Sequence, residues 1–600
     1  MIVVTGRTGV NGANGVIPNV NGQLGLYGDT ALCTATASNT GFYMQITGAE
    51  AIGGFGGSGG GGANAGYDAN NVYWGPGAAG ASHSGGNAYA NAIATTTNTA
   101  EAIALGGVAG NSGVPGLNMD GSYGGVGNKG GVGGLAAATS VNYNSLAFAT
   151  ATSTAIAGDG GASYGAGNTG GGGGVVFNSL SRSTAAAGES VAGEAATATV
   201  SQTAGSGGAG LDGAKGGAGA ASTATNAVTG YANGGVLTLS QTAVGGAGGS
   251  SDTAAGGKGG AAISSLTFDD TQSVTQSATV NGTVAAVGGA GATGATIAAA
   301  AAGTATLVVT GAGVVNAATA ATGGAGVTVS GVGTATTTAT GVSGTISATE
   351  NASLFSGQLV QSVSAATSGA VDGTSVDKAY AAIAGASKAA TGQGVAYVEG
   401  APLAASISAV LTKNASINTA FGASPVFFGI AELGGAYSAG GKTTQTITSS
   451  FSETVDLTQL ATPEDLVAGF YSGKATGAGF SGMTFDLYAD GVDVVHETFS
   501  SAKAATTFFT NNAIDLGSLA SGPLSGSTLN LRATMSITAS AAGSGFSGSI
   551  IVGDPPTASG ASAQGFVQAM AGMIGGASAV ASSASAAASP AKIMLATPAG

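Results

Sequence analysis

Side chains able to carry chemistry are few in this 600-residue chain. It has two histidines, His83 and His496, and one cysteine, Cys33. A catalytic triad or a histidine-based metal site needs several such groups brought together. His83 lies in a Gly/Ser-rich stretch and His496 in a β-like run, while Cys33 reads as a small buried hydrophobe without a disulfide partner. We therefore predict a protein that is not an enzyme and has no catalytic residues.

Paired carboxylates suggest calcium binding as the second kind of chemistry to consider. Glycine-rich calcium repeats place aspartates at regular positions, and the acidic residues near the glycine clusters form no such nonapeptide series. Asp269 and Asp270 are adjacent on a Thr/Ser-rich segment. Carboxylate oxygens are ligands that Ca²⁺ accepts, although a solvated turn explains the pair better. These two residues are the calcium candidates, and we expect no other metal and no cofactor.

Phosphate and nucleic-acid binding are not supported. Gly441-Lys442-Thr443 matches the end of a phosphate-binding loop, but Ala436 stands where its first glycine belongs and a strand follows instead of a helix. The chain has 13 basic and 27 acidic residues, a net charge of −14, and no basic stripe. We expect no nucleic-acid partner, since such binding needs clustered positive charge.

Two further surfaces are compatible with ligand binding. Phe480, Tyr471 and Tyr488 lie in the C-terminal β-rich part, where aromatic rings bind glycans or pack in the core. Threonine-rich runs at 94–99, 150–154 and 333–340 would present hydroxyl ladders if each forms a strand. Such ladders can order water and bind ice, and they are also common on solvent-facing strands.

The composition points to a scaffold built from small side chains. Charged residues make up 7% of the chain, against about 25% in typical proteins. Glycine accounts for 114 residues, yet hydrophobic residues still reach 44% and the mean hydropathy is +0.35. Disordered chains combine high charge with low hydrophobicity. This chain can therefore bury surface, but mainly with Ala and Val.

Short phrases recur along residues 56–350. Ser201-Gln-Thr-Ala returns at Ser240, Ala243-Val-Gly-Gly-Ala-Gly returns at Ala286, and Gly-Gly-Ala-Gly appears again at Gly323. The intervals fall in the range of solenoid repeats. Alanines at every second position, as at 88–94, lie on one face of a strand. An all-alanine face predicts a narrow interior between closely packed sheets.

Glycine clusters at 57–62, 124–134, 170–174 and 245–260 separate these strands. They are either flexible loops or extended three-residue-per-turn segments packed side by side. Ordering glycine costs more entropy than ordering any other residue, so the packed alternative requires that backbones touch. The sequence leaves both interpretations open.

The predicted fold class is all-β: a Gly/Ala-rich β-solenoid or stack of thin sheets, with possible polyglycine segments, followed by an antiparallel β-sandwich. The predicted parts are an N-terminal β segment (1–55), the repeat region (56–350), a connecting segment with short helices (351–423), the sandwich (424–555) and an Ala/Ser-rich tail (556–600). In the sandwich we predict a hairpin at Asp490-Gly491 and helices near 403–411, 462–467 and 501–509.

The Gly-Gly-Ala-Gly clusters, and the run Phe427-Phe-Gly-Ile-Ala-Glu-Leu-Gly-Gly leading into the last strands, resemble large exported bacterial Gly/Ala-rich repeat surface proteins with a C-terminal β-sandwich module. The resemblance implies a bacterial surface or extracellular location and transfers no functional residue. The first residues lack the basic head and apolar core of a signal peptide. We therefore expect a fragment or an uncleaved C-terminal export signal.

These observations predict an extracellular structural or adhesive protein forming a stalk, fibre or surface layer. Its expected partners are copies of itself or other surface proteins, and possibly glycans, with no membrane span. The alternatives are a glycan- or surface-binding module carried on a repeat stalk, and an ice-binding adhesin acting through the threonine arrays.

Overall fold

The computed structural model is mostly β, with 48% of residues in strands, 7% in helices and several open sheets. It describes residues 2–16, 29, 31–37, 46–68, 70–95, 97–143, 148–176, 184–187, 193–273, 275–326, 331–341, 344–354, 357–368, 375–383, 394–400, 402–437, 444–460 and 462–556. The all-β class is confirmed. The chain divides into two compact units, Met1–Ser356 (unit 1) and Gly357–Gly600 (unit 2).

Unit 1 consists of strands joined by extended glycine-rich chain. Its strands are β1 Ile2–Thr5, β2 Ala31–Ala37, β3 Ile46–Ile52, β4 Gly66–Tyr67, β5 Tyr73–Trp74, β6 Ala88–Ala94, β7 Thr99–Leu105, β8 Ala136–Asn142, β9 Ala149–Ile156, β10 Ser163–Tyr164, β11 Thr184–Ala187, β12 Ala196–Thr203, β13 Gly210–Leu211, β14 Ser222–Thr225, β15 Val228–Gly230, β16 Val236–Val244, β17 Ala262–Asp269, β18 Thr279–Val287, β19 Gly303–Thr310, β20 Val314–Thr322, β21 Gly333–Gly341 and β22 Gly344–Leu354.

Parallel sheets form the two faces of unit 1. Sheet 1 has the order β1-β3-β7-β9-β12-β16-β18-β20-β22, sheet 2 the order β15-β11-β8-β6-β2, and sheet 3 the order β14-β17-β19-β21. Each strand of sheet 1 pairs with the next strand of that sheet along the chain. We call the stretch of chain from one residue to its paired residue on the next strand a coil. Ile2 pairs with Ala49, Ile46 with Thr99 and Ala317 with Ile346, so the coil length is 47 residues at first, 53 in the next coil and 29 in the last.

Alanine lines the space between the sheets. Ala88, Ala90, Ala92 and Ala94 are all buried, which confirms the prediction from the two-residue period. The sheets approach closely enough for facing hydroxyls to bond, as Ser140 Oγ and Ser153 Oγ do at 2.9 Å. Small residues on both inner faces therefore set the separation of the sheets.

The glycine clusters form extended segments joined by backbone hydrogen bonds. An outgoing segment follows each of several sheet 1 strands, and a returning segment leads into sheet 2 or sheet 3. Every third amide of 53–62 donates to every third carbonyl of 105–114, at 2.8–2.9 Å. Every third amide of 107–116 donates to 77–86, which runs in the opposite direction, at 2.8–3.0 Å. This spacing matches the three residues per turn of the polyproline II conformation.

Glycine predominates at two of every three positions in these segments, although Ala79 and Ala109 occupy two such positions. A Cβ at Gly134 would overlap the carbonyl oxygen of Gly86, and one at Gly107 would overlap that of Gly54. The third position faces outward, where Phe55 and Val126 are exposed. Backbone contact thus accounts for the glycine content of the segments.

Side chains satisfy the outward-facing amides of the segments. The Ser58 N–H donates to Asn11 Oδ1 of the preceding coil at 2.9 Å. Two coils on, the Ala162 N–H donates to Asn111 Oδ1 at 2.7 Å. Asparagine at an outward position therefore ties neighbouring coils together and leaves fewer polar backbone groups unbonded.

Unit 2 contains two further sheets and three short helices. Its elements are β23 Gly357–Ser368, β24 Ser375–Ile383, β25 Gly394–Gly400, α1 Ala404–Leu411, α2 Ala415–Phe421, β26 Val426–Ala436, β27 Gln445–Asp456, β28 Asp465–Thr476, β29 Gly482–Ala489, β30 Val492–Phe499, α3 Ala502–Phe508, β31 Asn512–Ser518, β32 Thr528–Ala539 and β33 Gly545–Asp554. The sheet orders are β23-β27-β32-β29-β30 and β24-β25-β26-β33-β28-β31. Neighbouring strands are antiparallel except for β24 and β25, which are parallel.

Buried phenylalanines form the core of unit 2. The fully buried rings are Phe421, Phe451, Phe470, Phe485, Phe509 and Phe546. Phe470 contacts Phe485 edge to face, with ring centroids 5.7 Å apart, an arrangement that aromatic pairs favour. The predicted connecting segment, 351–423, contributes β23, β24 and β25 to these sheets and also contains α1 and α2. The predicted tail lies outside the described residues from 557 onward.

Three local predictions for unit 2 are confirmed and one is wrong. The helices near 403–411 and 501–509 are α1 and α3, and the hairpin turns at Asp490 (φ 48°) and Gly491 (φ 79°). Residues 462–467, predicted to be a helix, are instead the approach to strand β28 and its first three residues. The Asp465 N–H donates to Asp554 Oδ1 at 3.1 Å, so a distant strand binds an amide that the helix start would have left free.

Candidate binding loops at the ends of the glycine segments

The calcium candidates lie in the turn between β17 and β18. Asp269 Oδ1 accepts hydrogen bonds from the Thr271 N–H at 3.0 Å and from Thr271 Oγ1 at 2.6 Å. Asp270 is buried, and its carboxylate accepts from the Ser277 N–H at 2.7 Å and from Ser277 Oγ at 3.2 Å. Both carboxylates thus shape the turn, and a calcium site here stays a prediction.

The three aromatic residues predicted for glycan contact lie in different environments. Tyr471 is buried, and burial raises the pKa of its hydroxyl. Phe480 packs against Phe546 with ring centroids 5.9 Å apart. Tyr488 lines an open groove, where the Arg532 guanidinium lies 4.9 Å from the ring centroid. The structure therefore does not bring the three into one surface.

The two histidines lie in different units. His83 belongs to a returning glycine segment, where its backbone bonds to Gly57 and Gly110. His496 is exposed on β30, and its Nδ1 lies 2.5 Å from Asp486 Oδ1, a contact that raises the pKa of the imidazole. Asp493 lies within reach of the same group, with one ligand atom from each of the three residues inside 4.8 Å. An ion pair between His496 and Asp486 accounts for this arrangement.

Exposed aromatic residues concentrate where the glycine segments turn back. We call these turns the tip loops and define them as residues 64–76, 117–124, 164–169, 211–214 and 251–255. The exposed fractions there are 54% for Tyr67, 50% for Tyr73, 42% for Trp74 and 45% for Tyr123. Exposed rings of this size on one set of loops are typical of a binding surface.

The first tip loop is a small hairpin that fixes its rings. Strand β4 pairs with β5, and the Tyr67 and Tyr73 rings meet edge to face with centroids 5.6 Å apart. The Asp68 carboxylate accepts from the Val72 N–H at 2.9 Å and from Trp74 Nε1 at 3.2 Å. These contacts hold the indole in place without covering it.

Hydrogen bonds join the first and second tip loops. The Ala65 N–H donates to the Leu117 carbonyl at 2.7 Å, and the Leu117 N–H donates to Asn64 Oδ1 at 2.9 Å. Leu117 also bridges to Tyr123 across its own loop. The aromatic residues of two consecutive coils are therefore carried on one connected backbone.

Carboxylates give the tip loops their charge. Asp252 accepts the Asp212 N–H at 2.7 Å, and hydrogen bonds lower the pKa of Asp252. Hydrogen bonds from Val72 and Trp74, and from Ser122, likewise lower the pKa values of Asp68 and Asp120. Burial and the neighbouring Asp252 raise the pKa of Asp212, and the charge of Asp212 raises that of Tyr123. The five tip loops contain four aspartates and no lysine or arginine.

The periodic patterns used for the strands do not extend to the tip loops. One signal was present in the sequence: the chain's single tryptophan follows a tyrosine in Tyr73-Trp74, although aromatic residues make up only 6% of the chain. The Asp-Ala-Asn-Asn run from Asp68 also predicts a turn stabilised by its own side chains. A tryptophan in such a turn has little neighbouring structure that could cover its side chain.

A hydroxyl array covers part of the outer face of sheet 1. Strands β9, β12 and β16 pair in register, and all their half-exposed positions except Val244 carry threonine or serine. The nine residues, in three columns across the strands, are Thr150–Thr197–Thr238, Thr152–Thr199–Ser240 and Thr154–Ser201–Thr242. Adjacent columns lie about 6.6–6.8 Å apart and adjacent strands about 4.8 Å apart in such a sheet.

The other predicted threonine runs differ from each other. In β21, residues 334, 336, 338 and 340 are half-exposed threonines, whereas Thr337 is buried and bonds to Thr319 at 2.8 Å. Within run 94–99, Ala94 ends β6, Thr99 begins β7, and Thr97 is buried against Thr47. The described residues of this run therefore do not lie on one strand.

Comparison with known proteins adds no relationship: no family model, no curated protein and no solved structure matches the chain. Within the part of the chain that the structure describes, no helix is both long and apolar enough to cross a membrane.

Proposed function

We propose that the protein is an adhesive protein of the bacterial exterior, in which unit 1 is a β-solenoid and unit 2 a β-sandwich. Parallel in-register strands support the solenoid, because each coil of such a fold contacts only its neighbours. Two mainly antiparallel sheets with a phenylalanine core support the sandwich. On this proposal, unit 1 supplies a chemically inert scaffold made from small residues.

The observation that carries the adhesive function is the set of exposed rings on the tip loops. Binding residues are commonly placed on loops that a rigid scaffold positions. Tyrosine and tryptophan supply large contact areas at low entropic cost, and asparagine, glycine and serine supply adaptable hydrogen bonds. The first two tip loops are built from these residue types.

Bead adhesion tests this function. Beads coated with the full chain are settled on bare, polysaccharide-coated and cell-coated surfaces and then exposed to increasing shear flow. We expect retention above that of albumin-coated beads on at least one surface, and a clear loss with Trp74→Ala. Tyr143→Ala is the matched control, because Tyr143 is 60% exposed but follows β8, outside the tip loops. Retention no better than albumin on every surface would refute the proposal.

A structural role in a fibre or surface layer, with copies of the chain as partners, belongs to the same proposal. Sheet edges and coil ends offer backbone groups that a second copy can pair with. Electron microscopy of the purified chain at rising concentration tests this part. If only discrete single particles are seen at all concentrations, self-assembly is refuted. Adhesion is then judged by the bead assay alone.

The hydroxyl array favours a second candidate, ice binding. Nine outward hydroxyl residues in register form a regular two-dimensional lattice without a charged group inside it. We expect thermal hysteresis in the full chain that is lost in Thr199→Lys, which places a charge at the centre of the array. Val426→Lys, at an exposed position of unit 2, is the control. Absence of hysteresis and of faceted ice crystals would exclude this candidate.

A further inference from the structure

We propose that the tip loops bind saccharide chains, that they favour chains bearing amino groups, and that they reject polyanionic chains. The inference rests on the adhesive function proposed above and names its ligand. It is carried by two properties of the same loops: exposed rings held in fixed positions, and carboxylates without basic residues among them.

The rings supply the surface for stacking. Trp74 and Tyr73 lie on one short strand, and Tyr67 meets Tyr73 edge to face. The apolar C–H face of a sugar ring packs on such an aromatic surface, and an ammonium group is attracted to the negative face of the same ring. Because Trp74 Nε1 already donates to Asp68, the indole is pre-oriented and loses little freedom when a ligand binds.

The carboxylates supply acceptors and charge. Asp120 accepts from the Ser122 N–H at 2.9 Å and from Ser122 Oγ at 2.6 Å, both through Oδ1. The Asp212 carboxylate is hydrogen-bonded to Tyr123, and the Asp212 N–H donates to Asp252 Oδ2 at 2.7 Å. Carboxylate oxygens bind sugar hydroxyls and, more strongly, ammonium groups, since hydrogen bonds between charged groups are about twice as strong as neutral ones.

The charge balance disfavours anionic ligands. Four aspartates occupy the five tip loops, and the basic residues that follow in the returning segments are Lys129, Lys215 and Lys258. These three lie outside the loops and leave a net negative charge, so a uronate or phosphate chain meets net repulsion at the loops themselves. A chain with one amine on each sugar meets attraction at several loops at once, and its binding gains from multivalency.

Three oligosaccharides of equal length separate charge from sugar recognition: a glucosamine oligomer, an N-acetylglucosamine oligomer and a galacturonic acid oligomer. Binding to the full chain is measured by calorimetry at low salt and again at about 1 M salt, where the Debye length falls to about 3 Å. We expect the amine-bearing oligomer to bind at least about tenfold more tightly than the acetylated one at low salt, with little difference at high salt. We expect no measurable binding of the acidic oligomer.

Two variants, each with a matched control, identify the residues that bind the sugar and those that select the amine. Trp74→Ala should weaken binding of both the amine-bearing and the acetylated oligomer by about tenfold or more, on the scale of an aromatic hot spot, and Tyr143→Ala should not. Asp120→Asn should reduce the preference for the amine by about two- to threefold. Asp159→Asn is its control, since Asp159 also accepts a backbone N–H, from Ser206 at 2.7 Å, but lies on an outgoing segment.

Each outcome decides between the claims. Equal binding of the amine-bearing and acetylated oligomers, or tight binding of the acidic one, overturns the charge selection. If no oligomer binds but coated beads still adhere in a Trp74-dependent way, the saccharide ligand is wrong while the adhesive function stands. If neither binds, both proposals are overturned.

Discussion

Three adjacent glycines, Gly171, Gly172 and Gly173, allow a direct test of how the glycine segments are held together. A Cβ at Gly171 would overlap the carbonyl oxygen of Gly131, and one at Gly173 would overlap that of Gly205. A Cβ at Gly172 would meet nothing closer than the Ala218 carbonyl oxygen, at 3.8 Å. The same Gly→Ala change should therefore have opposite effects at neighbouring positions.

The expected magnitudes follow from these contacts. At Gly171 and Gly173 the methyl group must displace a neighbouring backbone, which costs about 1–3 kcal/mol for overpacking and about 1–3 kcal/mol for a buried hydrogen bond lost. We expect a destabilisation of about 3 kcal/mol for each. Gly172→Ala should be neutral or stabilising by about 0.4–1 kcal/mol, because alanine restricts the unfolded chain.

Hydrogen–deuterium exchange of peptides spanning 158–176 is the suitable assay, since an array of coils need not unfold in one step. A loss of 3 kcal/mol corresponds to exchange about a hundredfold faster in Gly171→Ala and Gly173→Ala. Gly172→Ala should exchange at the unchanged rate or more slowly. Equal acceleration in all three variants would refute the packed arrangement, because flexible loops make no distinction between the positions.

Two further predictions concern unit 2. Phe470→Ala should destabilise it by about 3–5 kcal/mol, because this buried ring contacts Phe485 and Phe509; denaturant titration measures the loss, and a change below about 1 kcal/mol would contradict the assigned core. Burial raises the pKa of Asp554 to about 6, above the 3.8 of the unfolded chain, so its contribution to stability is greatest below pH 4 and is lost as the pH rises through 6. Asp554→Asn should therefore gain stability relative to the parent between pH 4 and pH 7, and a pH-independent difference between the two would contradict this assignment.

Local patterns predicted those elements whose determinants lie close together in the chain. The alanines at 88–94 show their buried face through period alone, and Asp490-Gly491 shows its turn through the need for positive φ at both positions. The misassigned helix at 462–467 shows the limit. Its Pro and acidic residues fit a helix start, but Asp554 binds the amides of Glu464 and Asp465 from about 90 residues away.

Register between coils was predictable only in part. Ala243 pairs with Ala286, in agreement with the repeated phrase that begins at both residues. Ser201 pairs with Thr242, two residues from the Ser240 that the repeated Ser-Gln-Thr-Ala phrase would select. Both alignments keep the same face inward because a shift of two preserves the side-chain alternation, so the sequence pattern does not distinguish them.

The glycine segments and the tip loops were harder to predict for different reasons. Glycine has no side chain, so a glycine cluster carries no period that reveals its neighbours, and its hydrogen-bond partners come from other coils. The aromatic tip-loop residues carry no period either. Their proximity depends on the hydrogen bonds from the Ala65 N–H to the Leu117 carbonyl and from the Leu117 N–H to Asn64 Oδ1, which no local pattern indicates.

The unequal length of the coils has a mechanical consequence. Hydrogen bonds of unit 1 run from coil to coil, so tension that peels one coil away breaks only its bonds to the next. A peeled coil of 29 to 53 residues releases about 100 to 190 Å of extended chain. Stretching a single molecule from its N-terminal end would therefore give steps whose lengths follow the coils, with 47 residues in the first, 53 in the second and 29 in the last. The order of the steps would reveal which coil yields first.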